Sequence, residues 1–416
     1  MSRLVNAGDY AGALEIGQRN RDAFEGEPQF DFYYGLASLE AGNPSESVYA
    51  FERVVASASS GLLRERARLE LARAYFITNN LPASENLFNR VLATNPPENV
   101  RQNIEAFLQL IEARRTAQAP VLRWSIASQL GSDSNINSAT SSGLIDTPLI
   151  GEIELDPAGQ KTDDNYSNTL ATLAYNYPFT RDRSFDLSMN LNHLNNFSTD
   201  QFDIDTLQGE AAYNWGDESN RFRHGLTYSK VNLDQNGFQS AIAANSSWQH
   251  AGDDGWYQTV AGSYSRIRYD IADGSTLNKL RDVNQLLLSG GLTKIEGLYT
   301  HSLNLYHADE NPVRSAGRHN GRAFTGFAYS LLYRLNAQHT PYLRASHQKV
   351  SHDSEHPVFF DTTRHDQTDS VTLGWFYQYR RDLMITAQTS FTRNDSNIPL
   401  FDYRRFKYQA GFRFQF

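Results

Sequence analysis

Arg405-Phe406-Lys407-Tyr408-Gln409-Ala410-Gly411-Phe412-Arg413-Phe414-Gln415-Phe416 closes the chain in strict alternation. Phe406, Tyr408, Ala410, Phe412, Phe414 and Phe416 take one face. Arg405, Lys407, Gln409, Gly411, Arg413 and Gln415 take the other. A period of two is that of a β-strand, whose successive side chains point to opposite sides. Aromatic groups on one face and cations and amides on the other suit a strand between lipid and an aqueous lumen. Two upstream stretches repeat the pattern. Val371, Leu373, Trp375, Tyr377 and Tyr379 face outward in one, and Leu383, Ile385, Ala387 and Phe391 in the other.

Working back from this strand, alternation predicts fourteen strands, at 122–132, 167–179, 184–193, 204–215, 220–231, 237–250, 256–268, 281–294, 298–307, 320–335, 339–351, 366–379, 383–392 and 403–416. Each is long enough to cross a bilayer obliquely. The connections at 180–183, 216–219, 251–255, 295–297, 336–338 and 380–382 are short. Those at 133–166, 269–280, 308–319 and 352–365 are long. Short turns on one side and long loops on the other are the layout of outer-membrane barrels. A soluble β-sandwich would alternate too, but needs neither one-sided loops nor a terminal aromatic strand. With the first connection long, strand one runs outward and both chain ends are expected in the periplasm. Fourteen strands leave a lumen wider than side chains alone fill. The connection at 133–166 is the candidate plug or lid.

Composition agrees. Aromatic residues make up 12% of the 416 residues, yet the mean hydropathy is −0.56. No apolar run is long enough for a transmembrane helix. There is no cysteine, which excludes disulfides, thiol catalysis and Cys-ligated metal. The net charge of −9 argues against a nucleic-acid partner. No signal-peptide h-region is visible at the start, so a mature or trimmed chain is expected.

Near residue 119 the chain changes character. Residues 1–119 hold no lysine and are rich in Ala, Leu, Glu and Arg. They repeat: Gly35, Ser47, Phe51 and Val54 recur as Ala72, Ser84, Phe88 and Val91, each pair 37 residues apart (72 − 35, for example). Small residues mark where two helices of a hairpin approach closely, and the Phe fills the space between them. With Tyr75 and Asn95-Pro96, the unit resembles a tetratricopeptide repeat of about 34 residues. The extra three residues would lie in the 57–61 connection. Asp9-Tyr10-Ala11-Gly12-Ala13-Leu14 reads as the second helix of an earlier, truncated repeat. Residues 99–115 read as a final helix with an apolar stripe of Ile104, Leu108 and Ile111, and Pro120 stops it. The fold class is therefore a tetratricopeptide-like α-solenoid over 1–119, followed by a transmembrane antiparallel β-barrel over 120–416.

Three stretches carry a family resemblance. They are Arg68-Leu69-Glu70-Leu71-Ala72-Arg73-Ala74-Tyr75-Phe76, Val91-Leu92-Ala93-Thr94-Asn95-Pro96-Pro97 with Val100-Arg101-Gln102-Asn103-Ile104, and Gly131-Ser132-Asp133-Ser134-Asn135-Ile136-Asn137. With the domain order, they resemble the surface lipoprotein assembly modulator family. The resemblance implies an outer-membrane translocon for a client surface lipoprotein or a secreted haem- or metal-scavenging protein, with no cofactor of its own. The repeat pattern puts Phe32, Leu36, Arg66, Leu69, Arg73 and Phe76 on the client-facing groove. Gly131, Asp133, Ser134, Asn135 and Asn137 form the family-like segment after strand one. Phe412, Phe414 and Phe416 resemble the signal read by the barrel-assembly machinery, since an aromatic edge strand can be captured by another sheet edge. Outer-membrane lipid is the remaining partner.

Competing functions are an exopolysaccharide export barrel with periplasmic repeats, which should show an acidic and aromatic lumen, and a plain porin. A barrel enzyme would use His with Asp near the rim, as in His352-Asp353, His365-Asp366 or His307 with Asp309. Adjacent residues on a strand point opposite ways, so no catalytic residue is assigned. His347, His352, His356 and His365 are irregularly spaced for a metal. Asp156, Asp163 and Asp164 read as hydrated loop acids rather than a Ca²⁺ site.

Overall fold

The structure, a computed structural model, describes residues 1–58, 61–117, 119–148, 150–180, 182–271, 276–356 and 360–416. Its contacts divide the chain into two compact units, Met1–Ala119 and Pro120–Phe416.

Eight α-helices are described in the first unit: α1 Ser2–Asn6, α2 Tyr10–Arg19, α3 Arg21–Phe24, α4 Pro28–Glu40, α5 Pro44–Ser57, α6 Gly61–Ile77, α7 Leu81–Leu92 and α8 Glu98–Ala117. The hairpins α4–α5 and α6–α7 are the two repeats. A Cβ added to Gly35 would lie 2.8 Å from the Phe51 ring, so the small residue is what lets α4 and α5 touch. Ser84 ties the second hairpin, donating from Oγ to the Ala72 carbonyl at 2.8 Å. The inter-helix turns repeat as well. Gly8, Gly42 and Asn79 have φ of 80°, 85° and 62°, at spacings of 34 and 37 residues (42 − 8 and 79 − 42). Each ends a helix in the left-handed region that Gly and Asn tolerate. Residues 59 and 60 of the expected insertion lie outside the described residues. Phe32, Phe51, Val54 and Leu71 form the core under the first hairpin. Phe76, Phe88, Ile104 and Ile111 form the core beneath α8. There the Phe107 ring stacks on Phe88 at 5.1 Å.

Beneath the first hairpin lies a buried charge. Asp31 is fully buried and accepts from Arg53 Nη2 at 2.8 Å, Arg53 Nε at 3.0 Å and the Gly26 amide at 3.0 Å. Tyr34, almost as deep, donates to Glu46 Oε1 at 2.6 Å. Burial, reinforced by that carboxylate, pushes its hydroxyl up to about 12.

The second unit is a closed barrel of fourteen strands. They are β1 Val121–Asp133, β4 Asp164–Thr180, β5 Arg183–Asn196, β6 Ile204–Gly216, β7 Asn220–Leu233, β8 Asn236–Ala251, β9 Trp256–Tyr269, β10 Val283–Glu296, β11 Tyr299–Pro312, β12 Arg322–Tyr333, β13 His339–Glu355, β14 Thr363–Arg380, β15 Leu383–Ser396 and β16 Tyr403–Gln415. Each pairs antiparallel with its chain neighbour, and β1 closes on β16. A two-stranded hairpin, β2 Leu144–Thr147 and β3 Gly151–Glu154, sits in the first long loop. Alternation alone does not show it, because each strand is only four residues long.

Several strands outrun their sequence-predicted ends. β11 continues to Pro312 and β13 to Glu355. These extensions carry polar residues on both faces, among them outward Asp309 and Asn311 and inward Glu310, so they lack the apolar contrast that marks the bilayer-facing part. The aromatic side chains form two belts. All five tryptophans, Trp124, Trp215, Trp248, Trp256 and Trp375, face outward near the short-turn end. Tyr264 on β9 and Phe406 on β16 belong to the opposite belt. Trp256 and Tyr264 are eight residues apart (264 − 256), as are Phe406 and Phe414. At about 3.3 Å per residue and a tilt of about 40°, the belts are roughly 20 Å apart along the axis, near the height of an outer-membrane apolar band.

Candidate functional site

The register sorts each barrel side chain inward or outward, because partners across a ladder share a face. Inward residues are mostly Ser, Thr, Asn and Gln, with six carboxylates: Asp133, Asp164, Asp186, Glu210, Glu310 and Asp366. All six are engaged. Arg405 and Lys407 hold Asp133, and Arg223 holds both Asp186 and Glu210. Arg322 holds Glu310 and Arg364 holds Asp366. Asp164 accepts from the Ser198 amide at 2.8 Å and Thr199 Oγ1 at 2.7 Å. Four inward arginines, Arg123, Arg221, Arg344 and Arg413, are exposed and form no ion pair with a carboxylate among the described residues.

The family-like segment builds a clasp where β1 meets β16. Asp133 is 1% exposed and accepts from Arg405 Nε at 3.0 Å and from the Asn135 amide at 3.0 Å. Ser134 Oγ accepts from the Phe406 amide at 2.8 Å. Asn135 is fully buried and donates to the Ala139 carbonyl at 2.8 Å and the Arg404 carbonyl at 3.3 Å. Asn137 donates to the Gln160 carbonyl at 2.6 Å and so holds the far end of the first loop. That loop continues into the β2–β3 hairpin. Its Ile145 packs with Phe360 and Ile398, flanked by Leu400 and Phe401. The loop thus belongs to a cap at the long-loop end.

Gly131 belongs to a device used three times. Tyr166 lies across Gly131 and donates to Gln409 Oε1 at 2.6 Å, spanning the seam from β4 to β16. Tyr342 lies across Gly374 and reaches Gln388 Oε1 at 2.6 Å. Tyr306 lies across Gly326 and reaches Gln348 Oε1 at 3.1 Å. A Cβ on Gly131 would come within 2.5 Å of Tyr166 Oη and 2.7 Å of the Tyr408 carbonyl. Sequence reading misses this Tyr–Gly–Gln row, because only the register shows which Gly faces which Tyr.

At the short-turn end of the seam the Phe416 ring stacks on Trp124 at 3.7 Å, and the Phe416 amide donates to the Trp124 carbonyl at 2.9 Å. Phe412 and Phe414 continue the outward row. The three terminal aromatics are thus built into the closed wall.

The six groove candidates fall into two groups. Phe32 and Phe76 are 3% and 7% exposed; they pack the hairpin cores and do not line a groove. Helical periodicity identifies an apolar face but not whether a neighbouring helix covers it. Leu36 and Leu69 are half-buried against those cores. Arg66 is exposed, with its guanidinium 5.2 Å from the Phe32 ring centre. Arg73 is held by Glu40 at 3.0 Å and Glu70 at 2.7 Å.

His352 and His356 lie near His319 at the long-loop end, while His347 and His365 sit on the outer face of the wall. His347 faces outward and pairs with Asp369 at 2.7 Å. His365 lies near Ser351 Oγ, while its neighbour Asp366 points inward to Arg364. His352 donates from Nδ1 to the His319 carbonyl at 2.9 Å. The His356 ring packs against Phe360 and Phe401, and burial lowers its proton affinity. His307 and Asp309 share the outer face at 3.4 Å, and the other ring nitrogen of His307 lies 2.8 Å from the Thr325 hydroxyl on the same lipid-side face. Among the described residues no group of three or more His, Asp or Glu could hold a metal ion. Asp156 instead accepts from the Ala158 amide, as a helix cap.

No protein-family model matches the sequence. No curated protein matches it either. Solved structures similar to the chain include a loop-deletion mutant of OmpT, an outer membrane protein of Vibrio cholerae (10% identity, 72% of this chain and 100% of that one, TM-score 0.43). Others are an anion-selective porin from Comamonas acidovorans (7% identity, 72% and 99%, TM-score 0.42) and the outer membrane channel DcaP of Acinetobacter baumannii (7% identity, 71% and 97%, TM-score 0.43). The closed wall, two aromatic belts, polar interior and one-sided loops define an outer-membrane β-barrel. Here that barrel follows a helical unit in the same chain.

Proposed function

We propose that this protein is an outer-membrane translocon of the surface lipoprotein assembly modulator type. Its repeat unit engages a client surface lipoprotein or secreted protein, and its barrel assists the client's passage. The reading rests above all on the union, in one chain, of a tetratricopeptide-like array and a fourteen-stranded barrel. The chain enters the barrel at the short-turn end of β1. Short turns face the periplasm in barrels of this kind, so on this reading the repeats work there. No nucleotide is available at that membrane, so export must draw on differences in binding and on client folding outside. Leu36, Arg66, Leu69 and Arg73 are the contact candidates left by the burial of Phe32 and Phe76. Phe412, Phe414 and Phe416 would present the last strand to the assembly machinery before the seam closes.

The test is deletion of residues 1–119. The remaining barrel should still insert while client display at the cell surface is lost. Undiminished display would remove the repeat unit's role. A second reading, a solute channel, is favoured by one observation: the lumen-facing hydroxyl and amide side chains remain partly accessible rather than packed. Single-channel recording separates the two, since a constitutively open pore marks a channel and a mostly closed one a translocon. A polysaccharide conduit is less favoured, since the six inward strand carboxylates among the described residues each have a cation or a hydrogen-bond donor beside them.

A further inference from the structure

The lumen wall away from the seam holds a recess of about 510 Å³, in the range of small-molecule sites. Two successive rows of paired residues build it. One row runs Thr293, Ser302, Ser330, Arg344 and Thr372 across β10 to β14. The next runs Gly291, Asn304, Ala328, Ser346 and Ser370 across the same strands. The missing side chain of Gly291 and the single methyl of Ala328 leave the room. The other inward side chains of the lining carry hydroxyls or an amide, with one guanidinium, and Leu303, Tyr329 and Ala345 of the same wall face outward.

That guanidinium differs from those the barrel uses to hold its carboxylates. Arg223, Arg322, Arg364 and Arg405 each lie on a carboxylate. Arg344 has the Tyr342 ring at 4.9 Å and, among the described residues, no carboxylate within ion-pair distance. It remains exposed in the lumen, in the middle of the hydroxyl row. A planar fork of donors matches a carboxylate two bonds at a time. Hydroxyls on either side both donate and accept, as the hydroxyls of a sugar do. One cation suits one negative charge. Arg123 and Arg413, on β1 and β16, add positive potential to the same lumen, which concentrates anions.

We propose that this recess binds small polyhydroxylated carboxylates, the class of sugar acids. The site belongs to the lumen alone and does not depend on the repeat unit or on any client. The full chain in detergent, titrated with D-galacturonate, D-galactose and acetate by calorimetry, tests it. Galacturonate should bind, and both galactose and acetate should bind at least about tenfold more weakly, one lacking the charge and the other the hydroxyls. Arg344→Gln should weaken galacturonate about tenfold or more and leave galactose unchanged. Equal binding of galacturonate and galactose overturns the role of Arg344. Equal binding of galacturonate and acetate overturns the sugar-acid class, and absence of galacturonate binding overturns the site. The three-ligand series on the unaltered protein decides the matter even if the variant fails to fold.

Discussion

The seam and the far wall of this barrel use the same chemistry to opposite ends. From Gln129 to Asp133 on β1, and on the β4 and β16 residues beside them, the inward polar groups are spent on each other: Asp133 on Arg405 and Asn135, Tyr166 on Gln409, Gln409 on Gln129. In the middle of β10 to β14 they stop short of that, leaving an open recess and Arg344, which has no acid within ion-pair distance among the described residues. Saturated groups hold a wall together, whereas unsaturated ones in water remain available to a solute. The contrast locates structural cost in one place and ligand chemistry in another.

The largest effect should come from Asp133→Ala. It leaves Arg405 and the Asn135 amide without their acceptor in a buried setting, a loss on the order of 3 kcal/mol. Heat-modifiable gel mobility would show it as a clear fall in the unfolding temperature. Arg344→Gln, on the far wall, should leave that temperature unchanged. If both variants melt alike, the contrast is void.

Next in size is a glycine pair. Gly131→Ala drives a methyl into Tyr166 and the Tyr408 carbonyl and should cost about 1–3 kcal/mol. Gly291→Ala meets only ordinary contacts, with Thr259 Cβ at 3.7 Å, and should be near neutral for stability while shrinking the recess. The same melting assay, with galacturonate titration for the second variant, reads both.

Phe416→Ser removes the ring stacked on Trp124 at the end of the seam. It should slow membrane insertion in a time-resolved assembly assay by several-fold, with less effect on the finished barrel. Unchanged assembly rates would reduce Phe416 to a belt residue. The smallest effect belongs to Tyr166→Phe, which deletes one hydrogen bond to Gln409 and should cost about 1 kcal/mol. A loss as large as that of Asp133→Ala would mean that Tyr166, not the clasp, holds the seam.

Much of this architecture can be read from residues alone. Alternation in 403–416 identifies a strand with lipid on one side, and loop lengths orient the barrel, because both follow from local periodicity. The repeat is visible for the same reason: Gly35 and Phe51 recur as Ala72 and Phe88. What stays hidden depends on register or on coverage by a neighbour. Gly131-Ser132-Asp133 can be picked out by resemblance, but its partner Arg405 lies 272 residues away. The recess around Arg344 needs five strands aligned before it exists. Phe32 and Phe76 sit on apolar helix faces whose covering helices only the packed array reveals.

A cylinder made from one thread has a joint where its two ends overlap, and no turn of chain holds that joint. In this molecule the overlap is riveted by a ring that reaches from the second stave, over the first, to the last. Strain applied to the hoop is therefore shared around its circumference instead of opening the lap. Thermal loosening should begin among the hydroxyl-lined staves on the other side.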